Sequence, residues 1–480
     1  METVDQKIVL LLPRHATSWA KLHELAVAMT GAAALKPIIL LANDDVADRA
    51  RSIREGVEYL DVRLIVNRSI DANIRVWVAM MARVEGFLET HPIVGNVWPI
   101  AFLRMKAMHR KLAAEYLAFH DIIANIRPIA LLLPGDRELS PVPAAIKAAN
   151  ELNVTTIIAV SALPNPDALQ FSRRLGNAFR IELKYFAPLL NLYVAWRFPG
   201  QVHEGPEGRT LFSPGWRTMA LHLAGMLSPR PWIEGGGLCQ YVFEISKSRA
   251  EIATRLGRPA SKSILIGDQT LDPVYRAYRT REEMKACMLG DDLEKPLVVF
   301  SMPNDAEHGV CGYPEHLKRM ESYLEAISEH DVKVIISLHP KSSRKTYDAL
   351  VEKYGFDISE GPLSLILPAA DLFITGASST IYWARLTAVR TIVLDYLQYR
   401  SDHFKSPVGL DTIESVSEFR NRLSGALSSA LDPTDIAVRR KYADELAEQE
   451  CFDGQSTARI LAFLSDLASK NSATKATAGC

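Results

Sequence analysis

The sequence predicts an α/β protein made of two doubly wound parallel sheets, and three observations carry that expectation. Short, continuous apolar runs alternate with amphipathic helical stretches along most of the 480 residues. Continuous apolar strands, as opposed to alternating ones, belong to parallel sheets covered by helices on both faces. The alternation occurs as two series, the second starting at Leu297, and a balance of 48% hydrophobic to 23% charged residues fits two or three ordinary globular domains.

In the first series, Ile8–Leu12 reads as a strand ended by Pro13, Ser18–Gly31 as an amphipathic helix and Pro37–Ala42 as the next strand. Val62–Val66 reads as a strand, followed by a long helical stretch to about Ile126, the strand Ile129–Leu133, the helix Val142–Leu152 and the strand Thr155–Val160. Gln240–Ile245, the helix Ser248–Leu256 and Ser263–Gly267 still continue the first sheet, which puts the crossover near residues 268 to 295. The second series comprises Leu297–Ser301, a helix from near Leu317 to His330, Lys333–Leu338, Leu372–Thr375 and Thr391–Asp395. Ser415–Leu431 and Ile436–Ser469 read as helices, the second long enough to pack back across both lobes. The expected organisation is a lobe over 1–275, a lobe over 290–440, crossover helices over 441–469 and a disordered tail over 470–480, rich in Ala, Ser, Thr and Lys. Ligands of such sheets bind outside the carboxyl ends of the strands, so two facing lobes would enclose a cleft.

Lys plus Arg number 55 and Asp plus Glu 56, so bulk charge offers nothing to hold a nucleic acid. The five cysteines are scattered and form no CxxC pair, which favours neither a disulfide framework nor a zinc site and fits a reducing cytoplasm. The chain enters its first strand without a charged-then-apolar leader, and no apolar run reaches the roughly 18 to 20 residues of a membrane helix.

The segment Asp371–Ala384, DLFITGASSTIYWA, reads as a strand that delivers small hydroxyl residues to a helix start. A helix start offers unpaired N–H groups and a positive dipole end, and so binds phosphate. Gly376 leaves the backbone open to an anion, and Ser378, Ser379 and Thr380 add hydroxyl donors. An ordinary N-cap is the alternative reading. His339, at the end of another strand and held extended by Pro340, offers an imidazole to a phosphate oxygen, with Lys341 beside it; a histidine satisfied locally at a turn is the alternative. Trp232–Gly237 is Gly-rich with no helix of the dinucleotide-binding type behind it, which reads as a flexible lid or a turn. Val97–Lys111 mixes aromatic and apolar residues with Arg104, Lys106, Arg110 and Lys111. It either lies on an anionic membrane surface or packs on the sheet with a basic face to solvent.

Four segments resemble the two-lobed glycosyltransferases called GT-B and their relatives, the non-hydrolysing UDP-N-acetylglucosamine 2-epimerases and the CDP-glycerol transferases. They are Ile264–Tyr275 at the lobe junction, Leu338-His-Pro-Lys341, Asp371–Ala384 and Cys451–Ile460. The likeness covers roughly residues 240 to 465, and the first lobe only by pattern. His339-Pro340 and Ser378-Ser379 resemble, in order, the His-Pro and Ser-Ser pairs that hold the nucleotide phosphate in bacterial transferases of CMP-sialic acid and CMP-Kdo. The epimerases carry paired Gly and paired Glu where this chain has Ser378–Trp383, so the resemblance favours a cytidine donor. The segment Gly361–Pro368 resembles the loop that borders the base in these families; a helix-capping loop reads equally well.

The resemblance implies a metal-independent glycosyltransferase that needs no cofactor and works in surface polysaccharide or capsule assembly, with a nucleotide-sugar donor and a glycan or glycolipid acceptor. A sugar-nucleotide 2-epimerase or hydrolase, or a silent nucleotide-binding relative, are the alternatives. An attacking hydroxyl must lose its proton, so a carboxylate or histidine base is needed. Asp136, resembling the aspartate of the epimerases' Gly-Asp pair, projects from Pro134-Gly-Asp-Arg-Glu138 with Arg137 and Glu138; capping the next helix or pairing with Arg137 is its structural alternative. Arg14 and His15 follow the first strand as acceptor contacts, with Thr17 or Ser18 as a plain cap. Asp305, Glu307 and His308 share the loop after the first strand of the second lobe, as sugar contact, base and further proton carrier.

Overall fold

A computed structural model describes residues 6–51, 56–63, 65, 98–137, 141–159, 170, 177–181, 189–205, 208–290, 292, 294–307, 311–339, 342–398 and 408–478. The chain divides into two units, Met1–Gly267 with Thr457–Cys480, and Asp268–Ser456.

The first unit holds a seven-stranded sheet in the order β3-β2-β1-β4-β5-β8-β9. Its strands are β1 (Lys7–Leu11), β2 (Leu35–Leu41), β3 (Glu58–Asp61), β4 (Ala130–Leu133), β5 (Thr155–Ile158), β8 (Tyr241–Glu244) and β9 (Ser263–Leu265). Every pairing in it is parallel. An antiparallel hairpin of β6 (Val202–Gly205) and β7 (Gly208–Leu211), which the sequence reading did not anticipate, stands apart from it. The sheet is apolar on both faces because successive side chains of one strand enter different cores. Val9 and Leu11 join one cluster, whereas Leu10 and Leu12 join the other. Each such fully buried aliphatic side chain contributes roughly 1.5–3 kcal/mol.

The second unit holds a six-stranded parallel sheet in the order β12-β11-β10-β13-β14-β15. These strands are β10 (Leu297–Ser301), β11 (Lys333–Ser337), β12 (Asp357–Ile358), β13 (Leu372–Gly376), β14 (Arg390–Leu394) and β15 (Leu410–Ile413). Again the central strand feeds two cores, Val298 and Phe300 on one face and Leu297 and Val299 on the other. Both units are therefore doubly wound, Rossmann-like α/β sheets, as the alternation of apolar runs predicts.

Four details differ from the sequence reading. The third strand is Glu58–Asp61, just ahead of the apolar run Val62–Val66, because an edge strand paired on one side only needs no continuous apolar face. The first unit ends at Gly267 and the second begins at Asp268, at the near end of the expected crossover. The expected single helix from Ile436 to Ser469 is two, Pro433–Glu450 and Ser456–Ala478. Cys451 breaks it in a left-handed conformation at φ 53°, its N–H still reaching Ala447 O, and Phe452 turns into an apolar cluster with Leu271, Val274 and Leu386. Only the last helix belongs to the first unit: Ile460, Leu464 and Ala468, one turn apart, enter its core, and Phe463 packs edge-on against Tyr241 and Phe243. That helix runs on to Ala478, through the segment whose composition suggested disorder.

Candidate functional site

In a doubly wound sheet the strand order reverses at a switch point, and the loops leaving the two strands on either side diverge to form a crevice. In the second unit the reversal lies between β10 and β13. The loop after β10 carries Asp305 and Glu307, and the turn after β13 carries Ser378, Ser379 and Thr380. The two segments touch: a Cβ on Gly376 would lie 3.3 Å from the Pro303 ring, so a glycine lets the turn approach the loop.

The turn is half-buried to exposed. Ser378 Oγ accepts from the Thr380 N–H at 3.3 Å and from the Thr380 hydroxyl at 3.0 Å. Thr380 thus spends its hydroxyl on Ser378, which leaves the Ser378 hydroxyl hydrogen free to donate outward. Among the described residues, the N–H groups of Ala377, Ser378 and Ser379 donate to no acceptor. The helix behind them, Ile381–Leu386, is six residues long, so its dipole adds little and an anion would be held by the turn's own donors.

The β10 loop is fixed from both sides. The Tyr347 phenol donates to Glu307 Oε1 at 2.8 Å, and the Tyr396 phenol donates to Asp305 Oδ2. Tyr347 sits on the helix Arg344–Lys353 that follows β11, whereas Tyr396 follows β14. Burial, reinforced by these carboxylates, pushes both phenols well above their ordinary range. Arg319 caps the Tyr396 ring at 4.4 Å. His316 lies behind the loop, fully buried, with its ring edge-on to Tyr347 at 6.1 Å. Burial holds its imidazole below the usual value against the pull of Glu307 and Asp305.

Burial pushes the Glu307 carboxyl up, but the Ser342 hydroxyl, its own backbone N–H, the Tyr347 phenol and His316 together outweigh that and leave it below its ordinary range. Glu307 is therefore ionised at neutral pH. Among the described residues Glu307 Oε2 and the two ring nitrogens of His316 make no hydrogen bond of good geometry, although the Ser342 hydroxyl and the Pro303 carbonyl are close enough to act on them electrostatically. His316, Tyr347, Tyr396 and Arg319 were not singled out in the sequence, where nothing marks them until the fold gathers them around the loop.

His339 follows β11, half-buried, and its carbonyl accepts the Ser342 N–H at 2.8 Å. β11 and β13 flank β10, so their ends stand roughly 10 Å apart at about 4.8 Å per strand. A phosphate group on the serine turn would thus be separated from His339 by the β10 loop. Lys341, His308 and Glu138 lie outside the described residues.

The first unit reverses between β1 and β4, which brings the Arg14–His15 and Asp136–Arg137 segments to one sheet edge. Two of their side chains, Asp136 and His15, make hydrogen bonds within the fold. Asp136 is buried, and its two oxygens accept the N–H groups of Gly235 at 2.9 Å and Gly237 at 2.7 Å. Burial pushes its carboxyl up, against those two bonds and the charges of Lys262 and Arg137. Lys262 in turn donates to the carbonyls of Gly235 and Gly237 at 3.2 and 2.8 Å. These bonds bear on two of the sequence expectations. Each Asp136 oxygen already accepts one N–H at a buried position, and of the two readings of Trp232–Gly237, buried throughout, the turn is the one observed. Neither structural alternative expected for Asp136 describes it, because its partners lie a hundred residues away.

His15 caps the helix Ala16–Thr30: its Nδ1 accepts the Ser18 N–H at 3.3 Å, and Ser18 Oγ accepts the His15 N–H at 3.0 Å. The reciprocal cap, in which Ser18 is the partner, occupies Nδ1 of an exposed His15. Arg14 is half-buried, and burial pushes its guanidinium down. Arg137 reaches Glu234 at 3.8 Å, and its Nη1 is buried without a hydrogen-bond partner among the described residues. The basic stretch forms part of the helix Trp98–Ile126, where Arg104 is buried over the Trp216 ring at 4.2 Å while Lys106 and Arg110 face solvent. No helix among the described residues is long and apolar enough to cross a membrane.

No family model matches the sequence, and no match is found among curated proteins. Solved structures do align with the chain. UDP-GlcNAc 2-epimerase from Methanocaldococcus jannaschii aligns at 12% identity and a TM-score of 0.47, covering 96% of this chain and 99% of the other. UDP-GlcNAc 2-epimerase from Neisseria meningitidis, bound to UDP-GlcNAc, aligns at 12% identity and 0.46, covering 95% and 99%. The wall teichoic acid polymerase TagF aligns at 10% identity and 0.49, covering 97% and 89%. Likeness at this level concerns the course of the chain and says nothing of its chemistry.

Proposed function

We propose that this chain is a sugar-nucleotide enzyme whose second unit holds the donor's phosphate, and that it transfers the activated sugar to a hydroxyl of a glycan or glycolipid. One observation carries the reading: at the β10–β13 switch point, three unclaimed N–H groups and the Ser378 and Ser379 hydroxyls adjoin a loop bearing an ionised carboxylate with an unclaimed oxygen. Such donors neutralise charge developing on a leaving phosphate. Glu307 takes the acceptor's proton, while Tyr347 keeps the carboxylate oriented; Asp305 contacts the sugar. With Asp136 committed to the fold, Glu307 is the base this reading requires. The serine pair favours a cytidine nucleotide, and His339 then meets the part of the donor beyond the first phosphate.

Calorimetry with CMP, CDP, UMP, UDP and GDP tests the cradle. The double variant Ser378→Ala, Ser379→Ala loses two charge-assisted hydrogen bonds of roughly 1.5–3 kcal/mol each, which is tenfold or more in affinity per hydroxyl. Unchanged affinity overturns the site. Incubation with donor but no acceptor tests the reaction, because a sugar product formed from donor alone refutes transfer in favour of epimerisation or hydrolysis.

A further inference from the structure

The second unit has another cavity, at the amino edge of its sheet, that the proposed reaction does not use. It is a cleft of about 250 Å³ where β13 and β14 begin, walled by the helices Arg281–Leu289 and Pro433–Glu450 and by the segments Pro368–Asp371 and Thr387–Val389. Four cationic side chains line it, Arg281, Lys285, Arg439 and Arg440, against two carboxylates, Glu282 and Asp371.

These cations are held in place by the fold. Arg439 is buried, and its three nitrogens reach Asp435 at 2.9 Å, Ala430 O at 2.9 Å and Ala388 O. Ala388, the last of these partners, has a left-handed φ of 59°, a conformation an alanine keeps only where its surroundings impose it. Lys285 is anchored to Asp371 at 2.7 Å. Arg281 lies on the Tyr278 ring at 4.6 Å, and its carboxylate contact is Glu282 at 3.3 Å, whose side chain is 76% exposed. Arg440 is exposed and has no ion-pair partner among the described residues. Asp371 is consumed by Lys285 and by the Leu297 N–H at 2.8 Å, and Arg281 has only the exposed Glu282 as counter-charge, so Arg440 alone meets the cleft without a carboxylate partner among the described residues.

We infer that this cleft is a second anion site, which takes a small phosphorylated compound of the size of pyrophosphate or a short phosphate monoester. Two guanidinium groups at the mouth present planar donor forks suited to phosphoryl oxygens, and the ring of Tyr278 holds one of them in a fixed plane. The volume lies just below the roughly 300–1,000 Å³ of sites for drug-sized ligands, which excludes a whole nucleotide-sugar. The site is distinct from the serine turn. β13 runs from Asp371 in the cleft wall towards Gly376, and its five residues span about 17 Å. The cleft nevertheless grips both flanks of the segment that carries the turn, Asp371 before it and Ala388 after it.

Calorimetry on the full chain with sodium pyrophosphate, orthophosphate and glycerol phosphate, at ionic strength matched with sodium chloride, tests the inference. Saturable binding of one equivalent by any of the three supports it, and their ranking separates inorganic from esterified phosphate. Arg281→Glu with Arg440→Glu, the first half-buried and the second exposed, weakens that binding at least tenfold in a chain that still unfolds cooperatively, whereas Ser378→Ala with Ser379→Ala leaves it intact. Absence of saturable binding at millimolar concentration, or binding lost in the serine variant and kept in the arginine variant, overturns it. The outcome is independent of nucleotide binding, so the failure of either site is read separately.

Discussion

Replacing Asp136 by alanine separates a structural carboxylate from a catalytic one. In the folded chain Asp136 satisfies the N–H groups of Gly235 and Gly237, both in a buried turn. Truncation leaves two buried donors without partners at roughly 1–3 kcal/mol each, so the expected loss is about 2–6 kcal/mol. At roughly 2–4 °C per kcal/mol for a unit of this size, the transition of the first unit falls by at least about 4 °C. Thermal unfolding followed by circular dichroism measures that shift, and calorimetry with the preferred nucleotide measures whether the second unit is untouched. Asp136→Asn sharpens the test. It keeps one acceptor and removes the charge, so it destabilises less than alanine at neutral pH. Burial raises the carboxyl's value in the folded state, so its contribution to stability is fully present below the unfolded value and is lost as pH rises through the folded one. The asparagine variant is flat across that window. A melting temperature unchanged in Asp136→Ala, together with abolished transfer, refutes the structural assignment and restores Asp136 as the base.

The Glu307 carboxyl is held low, so its contribution to stability is present above the unfolded value and is lost as pH falls through the folded one. Tyr347→Phe removes a donor to that carboxylate, and the acid limb of the transfer rate against pH moves upward; an unmoved limb excludes Glu307 as the titrating base. Glu307→Gln is expected to cut turnover by about 10²–10⁴-fold with little change in nucleotide affinity, as measured by steady-state kinetics beside calorimetry. Gly237→Ala places a Cβ 2.5 Å from Asp136 Oδ2, and the clash is expected to lower the melting temperature much as Asp136→Ala does. A neutral outcome at Gly237 means the turn is looser than these hydrogen bonds indicate.

The sequence by itself determined the two parallel sheets and most strands within a residue or two, and it picked out the ends of β10, β11 and β13 as candidate sites. These follow from local physics: an apolar run has one buried fate, and a loop leaving a parallel strand emerges at the carboxyl edge. What each candidate side chain does there was decided by the tertiary structure. Asp136 and Glu307 look alike in sequence, each an acid just past a strand. One meets two glycine N–H groups contributed a hundred residues later, and the other meets a tyrosine phenol on the helix after the next strand. His316 and Tyr396 carry no local signal at all, because a histidine inside an amphipathic helix and a tyrosine after a strand are ordinary until packing brings them to the same loop. The break at Cys451 has the same origin: helical periodicity continues through it, and the cluster that draws Phe452 inward is assembled from Leu271, Val274 and Leu386. Patterning along the chain reports burial, whereas hydrogen-bond partnership depends on which distant segments the fold brings within 3 Å, and this chain's candidate chemistry rests on the second.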